Sequence, residues 1–210
     1  TLRLFAGRDS TGVRGIRLAE RDSVIALSVL RHSDASPEER AAYLKAAAAR
    51  RRATGEDVEA APVEDSEEPV AEVALSAERF DALAEAEEII LAVTDGGFGK
   101  RTSSHEYRVT GRGGQGINGI TLTKRTGREV VATFPVRAGD HLMLVTDGGQ
   151  LIRIQADAVR VTGRQGMGVT LMRLSDGERV ISCFPVADDD DGGEDAPPSE
   201  TPGEAADSND

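Results

Sequence analysis

A 52-residue repeat constrains the fold of this chain more than any other feature of its sequence. The segment LAVTDGG at Leu91 returns as MLVTDGG at Met143, 52 positions further on. VTGR at Val109 returns at Val161 with the same spacing. After a two-residue deletion, VVATFPV (130–136) corresponds to VISCFPV (180–186). A repeat of this length is typical of propellers and related arrays, in which each unit buries its faces against its neighbours.

A third, shorter copy occupies the N-terminal residues. The GR pair at Gly7 corresponds to the GR pair at Gly111, 104 positions later, which is twice the period. GVRGIRL at Gly12 corresponds to the segment at Gly116, and residues 24–30 take the place of 130–136. The first half of this copy is missing. We therefore predict about two and a half blades: a partial blade at 1–30, a complete blade at 89–136 and a complete last blade at 137–187.

Each complete copy has the pattern of four short β-strands. In the second copy the strands are predicted at residues 89–94, 98–102, 116–123 and 129–134. The DGG at Asp95 supplies the positive-φ positions of a tight hairpin between the first two. Four strands in about fifty residues make one blade of a propeller. The predicted fold class is all-β, a propeller-like β-pinwheel of four-stranded blades.

Residues 31–88 are predicted to be a helical and acidic insertion. Ser36 and Pro37 have the pattern of a helix N-cap and first position, and the helix should run to about Ala53 with Gly55 as its stop. Residues 56–69 should be a flexible linker, and a second short helix should begin after Ser76. A partner-binding role for the insertion stays open.

The net charge of −12 conceals a basic body. Residues 188–210 hold ten acidic and no basic residues, and 31–88 hold sixteen acidic and seven basic residues. The remainder, 1–30 and 89–187, holds eighteen basic and eleven acidic residues, a balance of +7. Residues 188–210 are predicted to be a disordered acidic tail, which either only increases solubility or competes with anionic ligands for the basic surface.

No catalytic or metal site is predicted. The GQGING segment at Gly114 matches G-x-G-x-x-G, but a dinucleotide site needs a helix after this loop, and here a strand is predicted. His32, His105 and His141 have no ligand or triad partner at suitable spacing. We expect His105 to be a solvated or phosphate-adjacent loop residue, and Cys183 to lie in the core.

The chain is predicted to be cytoplasmic and not membrane-bound. No apolar run approaches the roughly 20 residues that a membrane-spanning helix needs. There is no signal-peptide pattern, and a lone cysteine fits a reducing compartment.

Recurring cations are the candidate functional residues. Arg8, Arg112 and Arg164 occupy the same position in three copies, and Lys124 and Arg125 cluster at a turn. A cation at each blade forms a curved basic rim that suits the phosphates of a polyanion. The absence of Trp, with aromatics at 3% of residues, disfavours stacking on single strands and leaves duplex DNA as the predicted partner. We assign contacts with the DNA backbone to Arg8, Lys100, Arg101, Arg112, Lys124, Arg125, Arg153 and Arg164. The alternative is that these are solvated strand-edge charges.

Two adjoining motifs resemble the C-terminal repeat region of the A subunit of bacterial DNA gyrase. They are ILxVTxGxxGKRT at Ile90 and EYRxTGRGGQG at Glu106, and the resemblance covers 1–30 and about 89–187. It implies a six-bladed β-pinwheel that wraps DNA on a basic rim, so that the parent type II topoisomerase can introduce negative supercoils. It also implies a heterotetramer with the B subunit of gyrase, with ATP and Mg²⁺ bound by other domains and no cofactor here, and association with the nucleoid. The insertion at 31–88 departs from the family pattern.

Two other interpretations remain open. One is the corresponding domain of topoisomerase IV, a decatenase with a more degenerate pinwheel. The other is a propeller-like module whose cations bind an acidic protein.

Overall fold

The computed structural model describes residues 4–55 and 73–186. The predicted linker at 56–69 and the predicted tail at 188–210 lie outside these ranges. The two helices are α1 (Pro37–Ala53) and α2 (Ala77–Ala86). The strands are β1 (Ile89–Thr94), β2 (Phe98–Ser103), β3 (Val130–Val136), β4 (His141–Thr146), β5 (Leu151–Gln155), β6 (Val169–Thr170) and β7 (Val180–Val186). Single 3₁₀ turns follow β2 at Ser104–Glu106 and β5 at Ala156–Ala158.

The strands form two antiparallel sheets that repeat one another, which confirms the all-β, propeller-like fold class. One sheet has the order β3-β1-β2-β6 and the other β5-β4-β7. The pairing of β1 with β3 shifts register between Val93 and Thr94, and that of β4 with β7 shifts between Val145 and Thr146, 52 residues later. The repeat in the sequence is therefore a repeat of backbone geometry, down to the same β-bulge.

The prediction that one copy supplies all four strands of its blade is wrong. β6 belongs to the last copy but pairs with β2 of the copy before it, through Phe98 with Thr170 and Gly99 with Val169. Residues 116–123, predicted as a strand, form none. In the last copy the segment at this position, β6, pairs with β2 of the preceding copy.

One hydrophobic core joins the second and last copies. Leu91 and Val93 of β1 pack in the same cluster as Leu142 and Leu144 of β4, and all four are fully buried. Cys183 on β7 is buried in this cluster, as predicted. Because alternate residues of a strand share a face, the LxV and LxL patterns place these side chains between the sheets.

The described part of the first copy, residues 4–30, forms no strand. Val24, Leu27 and Val29 stand where β3 and β7 have their residues, yet they are 63%, 88% and 87% exposed. β3 and β7 are held by β1 and β4 of their own copies. Among the described residues no strand pairs with residues 24–30, and these three apolar side chains are exposed.

The two predicted helices are confirmed and form a hairpin with its own core. Ser36 caps α1 in a capping box with Glu39, and Pro37 is its first residue. Ser76 caps α2 by accepting a hydrogen bond from the Arg79 amide. Tyr43, Ala47, Phe80 and Leu83 form the core of this hairpin.

His105 attaches the helical hairpin to the second copy, so the expectation of a solvated or phosphate-adjacent side chain is wrong. The ring is 6% exposed, and its Nε2 donates to the carbonyl oxygen of Leu83 at 2.9 Å. The Tyr43 ring lies edge-on to it at 5.0 Å between centroids. The insertion is thus packed on the 3₁₀ turn after β2.

Replacing His105 with alanine should loosen this attachment. The change removes a buried hydrogen bond and leaves the Leu83 carbonyl without its donor, so we expect a loss of about 2 kcal/mol in the local opening free energy of α2. Amide hydrogen exchange of α2 measures it. The matched control is His32→Ala, because His32 is exposed, and it should change protection by less than about 0.5 kcal/mol. Unchanged α2 protection in His105→Ala would contradict the attachment.

Candidate nucleic-acid interface

The glycine-rich loops of successive copies are joined by the same main-chain hydrogen bond. The Thr121 amide of the second copy donates to the Gly166 carbonyl of the last copy at 3.5 Å. The Arg17 amide of the first copy donates to the Gly114 carbonyl of the second copy at 2.8 Å. Arg17 corresponds to Thr121, and Gly114 to Gly166, by the repeat register. The first copy therefore meets the second as the second meets the last, although its strands are incomplete.

These loops carry cations and no acidic residue. Residues 10–19, 107–128 and 158–175 contain no Asp or Glu. The loop ladder, as we call these three segments, has a set of exposed cations: Arg14, Arg17, Arg108, Arg112, Lys124, Arg125, Arg128 and Arg173. A surface with one sign of charge attracts a polyanion and holds it through phosphate contacts.

The predicted site residues divide into an exposed and a covered group. Arg8, Arg112, Lys124, Arg125 and Arg153 are exposed. Lys100 and Arg164 are buried, at 0% and 7% exposure, and the Arg101 side chain is 12% exposed. The assignment of contacts with the DNA backbone to Lys100, Arg101 and Arg164 does not fit this geometry, because their charged groups bind other groups of the protein.

Lys100 closes the junction between the second and last copies. Its ammonium group donates to the Gly163 carbonyl at 2.8 Å and to the Arg164 carbonyl. The Arg164 guanidinium turns back to the second copy, where Nη1 donates to the Asn118 carbonyl at 2.5 Å. The Glu106 carboxylate accepts a long hydrogen bond from the Arg164 amide at 3.4 Å. These contacts hold the last copy's loop against β2 from both sides.

Burial shifts the pKa of two charged groups in this cluster. It lowers the pKa of Lys100 to about 8, against the opposing attraction of Glu106. It also raises the pKa of Glu106, which the Arg164 amide and the Arg164 and Lys100 charges oppose. For both groups, desolvation therefore shifts the pKa more than the neighbouring charges and hydrogen bonds do.

Arg101 makes a second covered link. Its Nη1 pairs with the Asp157 carboxylate at 2.7 Å, and its Nε donates to the Val159 carbonyl at 2.6 Å. The main chain of Arg101 is also bonded on both sides, to Arg160 and Thr162. Both the side chain and the main chain of Arg101 thus bind the last copy.

The three equivalent arginines of the repeat, Arg8, Arg112 and Arg164, do not have equivalent surroundings in the structure. Arg164 is covered because its loop lies on β2 of the preceding copy. Arg112 stands in the same loop position, but no strand of the described residues lies against that loop, and Arg112 is exposed. The equivalence of these residues therefore marks a position at the junction of two copies, where Arg8 and Arg112 are exposed and Arg164 is buried.

Glu106 and Asp157 are polar partners that sequence reasoning did not single out. Glu106 stands within the EYR motif, next to the cations that were considered. In the described ranges no group of three or more His, Cys, Asp or Glu is placed to hold a metal ion. Over those same residues, no helix has the length and apolar character to cross a membrane.

The paired sheets, their shared core and the repeated loop contacts define an array of propeller-type β-blades with cationic loops. The model of the family described as "DNA gyrase C-terminal domain, beta-propeller" matches residues 2–31, 88–137 and 140–187, which are the three copies. The chain belongs to the DNA gyrase C-terminal domain family.

The curated relatives agree with this family. The DNA gyrase A subunit of Granulibacter bethesdensis is 58% identical over 221 residues, covering 100% of this chain and 24% of the relative. The DNA gyrase A subunit of Rickettsia bellii is 45% identical over 194 residues, covering 92% of this chain and 21% of the relative. The chain thus spans about a quarter or less of the length of these relatives. They confirm the resemblance to the gyrase A subunit and favour it over topoisomerase IV.

Two solved structures are similar over about half of the chain. A DNA gyrase A C-terminal domain has 24% sequence identity and a TM-score of 0.44, covering 47% of this chain and 33% of its own. The C-terminal domain of a DNA topoisomerase IV has 21% identity and a TM-score of 0.44, with coverages of 48% and 31%.

Proposed function

We propose that this chain is a DNA-wrapping module that holds duplex DNA by its backbone for a gyrase-type topoisomerase. The observation that supports it most is the loop ladder, where exposed cations recur without a single acidic residue over three segments. Such a surface neutralises phosphates without reading bases, which suits the wrapping of DNA of any sequence.

On this proposal the chain contributes binding and no chemistry. The parent enzyme cuts and rejoins DNA elsewhere, and it works with the gyrase B subunit, which binds ATP and Mg²⁺. The module works in the cytoplasm on nucleoid DNA. Bending a duplex has an elastic cost of several kcal/mol, which many phosphate contacts along a curved surface offset.

A salt titration with a random-sequence duplex of about 150 base pairs, one persistence length, tests the proposal. We expect the logarithm of the binding constant to fall linearly with the logarithm of salt concentration, by about 0.9 per phosphate contact. Affinity should be the same for a second duplex of unrelated sequence. The chain shortened at residue 187 should bind more tightly if the acidic tail competes for the same surface.

The result that would overturn the proposal is a folded chain that binds no duplex at low salt, with and without the tail. Selective, stoichiometric capture of one acidic protein, with no affinity for duplex, would favour the interaction-module alternative instead. Circular dichroism of the same samples shows that the β-structure is intact.

A further inference from the structure

Two segments connect successive copies: the first connection, residues 31–88, and the last connection, residues 137–140. Each is closed by the same hydrogen bond, which the amide of its first residue donates to the side-chain carboxylate of its last residue. The distance is 2.6 Å in the first connection, across 57 positions, and 2.7 Å in the last, across three positions. The helical hairpin is therefore inserted into a closed turn that, in its other version, has only residues 138–139 between its ends.

The last residue of each connection is also anchored in the same way. The Ser104 amide donates to the Glu88 carbonyl, and the Ala156 amide donates to the Asp140 carbonyl, both at 2.8 Å. Ser104 and Ala156 begin the 3₁₀ turns that follow β2 and β5, and they are equivalent residues of the repeat. Each connection therefore lies against the 3₁₀ turn of the copy that it enters.

The middle residue of each 3₁₀ turn contacts the connection, but with opposite hydrogen-bonding roles. Asp157 accepts a hydrogen bond from the Gly139 amide at 2.9 Å. His105, at the equivalent position, donates from Nε2 to the Leu83 carbonyl at 2.9 Å. Leu83 is one of the last four residues of α2, so its carbonyl is among those that helix geometry leaves without a donor. The short turn thus presents an amide that needs an acceptor, whereas the hairpin presents a carbonyl that needs a donor.

We propose that the residue at the middle of the 3₁₀ turn determines which kind of connection a copy accepts. Histidine suits the helical hairpin, because its ring N–H reaches a carbonyl at the end of α2. Aspartate suits the two-residue turn, because an ionised carboxylate accepts the turn amide and has no hydrogen to donate. His105 is then the residue that selects the hairpin. The hairpin itself lies outside the hydrogen bond that closes the connection, so the step from the first copy to the second does not depend on it.

The test changes the connection and the residue independently. In a shortened chain, residues 32–87 are replaced by Ala-Gly, the two residues that stand between Arg137 and Asp140. The full chain and the shortened chain are each prepared with His105 and with His105→Asp, and urea unfolding gives the equilibrium constant of unfolding for all four. In the full chain we expect His105→Asp to raise this constant about tenfold or more, because the Leu83 carbonyl loses its donor. In the shortened chain we expect the same substitution to lower it about threefold to tenfold, because the carboxylate accepts the amide of the new glycine.

A further variant of the full chain tests the donor without any change of chain length. His105→Asn introduces a side chain of the same size as aspartate, but its amide group keeps an N–H donor. We expect it to raise the equilibrium constant of unfolding by less than a third as much as His105→Asp does.

Three outcomes would overturn the proposal. If His105→Asp destabilises both chains equally, the preference for histidine does not depend on the connection. If aspartate and asparagine at this position destabilise the full chain equally, the donor does not matter. If the shortened chain is unfolded with either residue, the two connections are not interchangeable. None of these measurements involves DNA, so the proposed function stands or fails separately.

Discussion

Replacing Lys100 with alanine is expected to lower the free energy of unfolding by about 3 to 5 kcal/mol, the range for removing one partner of a buried charged cluster. Its ammonium is a donor to the Gly163 and Arg164 carbonyls. The variant leaves both carbonyls without this donor and leaves the half-buried Glu106 without the lysine's charge. Urea unfolding followed by circular dichroism measures the loss.

The matched control for this prediction is Lys124→Ala. Lys124 carries the same charge on an exposed loop residue of the same copy, so its replacement should change stability by less than about 0.5 kcal/mol. A loss of similar size in both variants would show that the burial of Lys100 does not matter.

The pH dependence gives an independent check on Lys100. Burial lowers its pKa to about 8, from 10.5 in the unfolded chain. Between about pH 8 and pH 10.5 the lysine binds more protons in the unfolded chain than in the folded chain. The contribution of Lys100 to the free energy of unfolding therefore rises with pH in this range. Cys183 acts in the opposite direction, because burial raises its pKa to about 12. The comparison is therefore with Lys100→Ala: the stability advantage of the unsubstituted chain should widen from pH 8 to pH 10, and a constant difference would contradict the assignment.

Gly168→Ala is the second change with a large expected effect. Gly168 has a φ of +81°, and a Cβ there would lie 2.5 Å from the carbonyl oxygen of Gly99 on β2. We expect a loss of roughly 1 to 2 kcal/mol from the left-handed backbone and another 1 to 3 kcal/mol from forcing β2 and β6 apart. Urea unfolding measures the sum.

Gly149→Ala separates the two contributions. Gly149 has the same φ of +81°, but nothing lies within 4 Å of its Cβ position. It should show the backbone contribution alone. If the two alanine variants lose the same stability, the close approach of the last copy to β2 is not important for the fold.

Local features of the fold were predictable because their causes are local. The Ser36 cap and the Pro37 start of α1 are set by neighbouring residues, and the structure has both. The hairpin glycines Gly97 and Gly149 have φ values of 75° and 81°, as the DGG turns require. Strand pairs joined by short turns follow from the same short-range rules.

Features that depend on contact between copies were not predictable. Arg112 and Arg164 are equivalent residues of the repeat, yet only Arg164 is buried, because within the described ranges only its loop lies on a β2-type strand. No pattern around His105 indicates that Leu83 and Tyr43 will cover it. One repeat unit read alone shows which residues are equivalent, but the surroundings of each depend on the neighbouring unit.

The exchange of β6 into the preceding sheet affects how the array responds to mechanical load. Force applied to the last copy is transmitted to β2 through the β2–β6 pairing at Phe98 and Gly99 and through the Lys100 contacts. These bonds lie side by side between antiparallel strands, so sliding the copies apart must break them together. The second and last copies are therefore joined twice, once by the connecting chain and once by a strand exchanged into the neighbouring sheet.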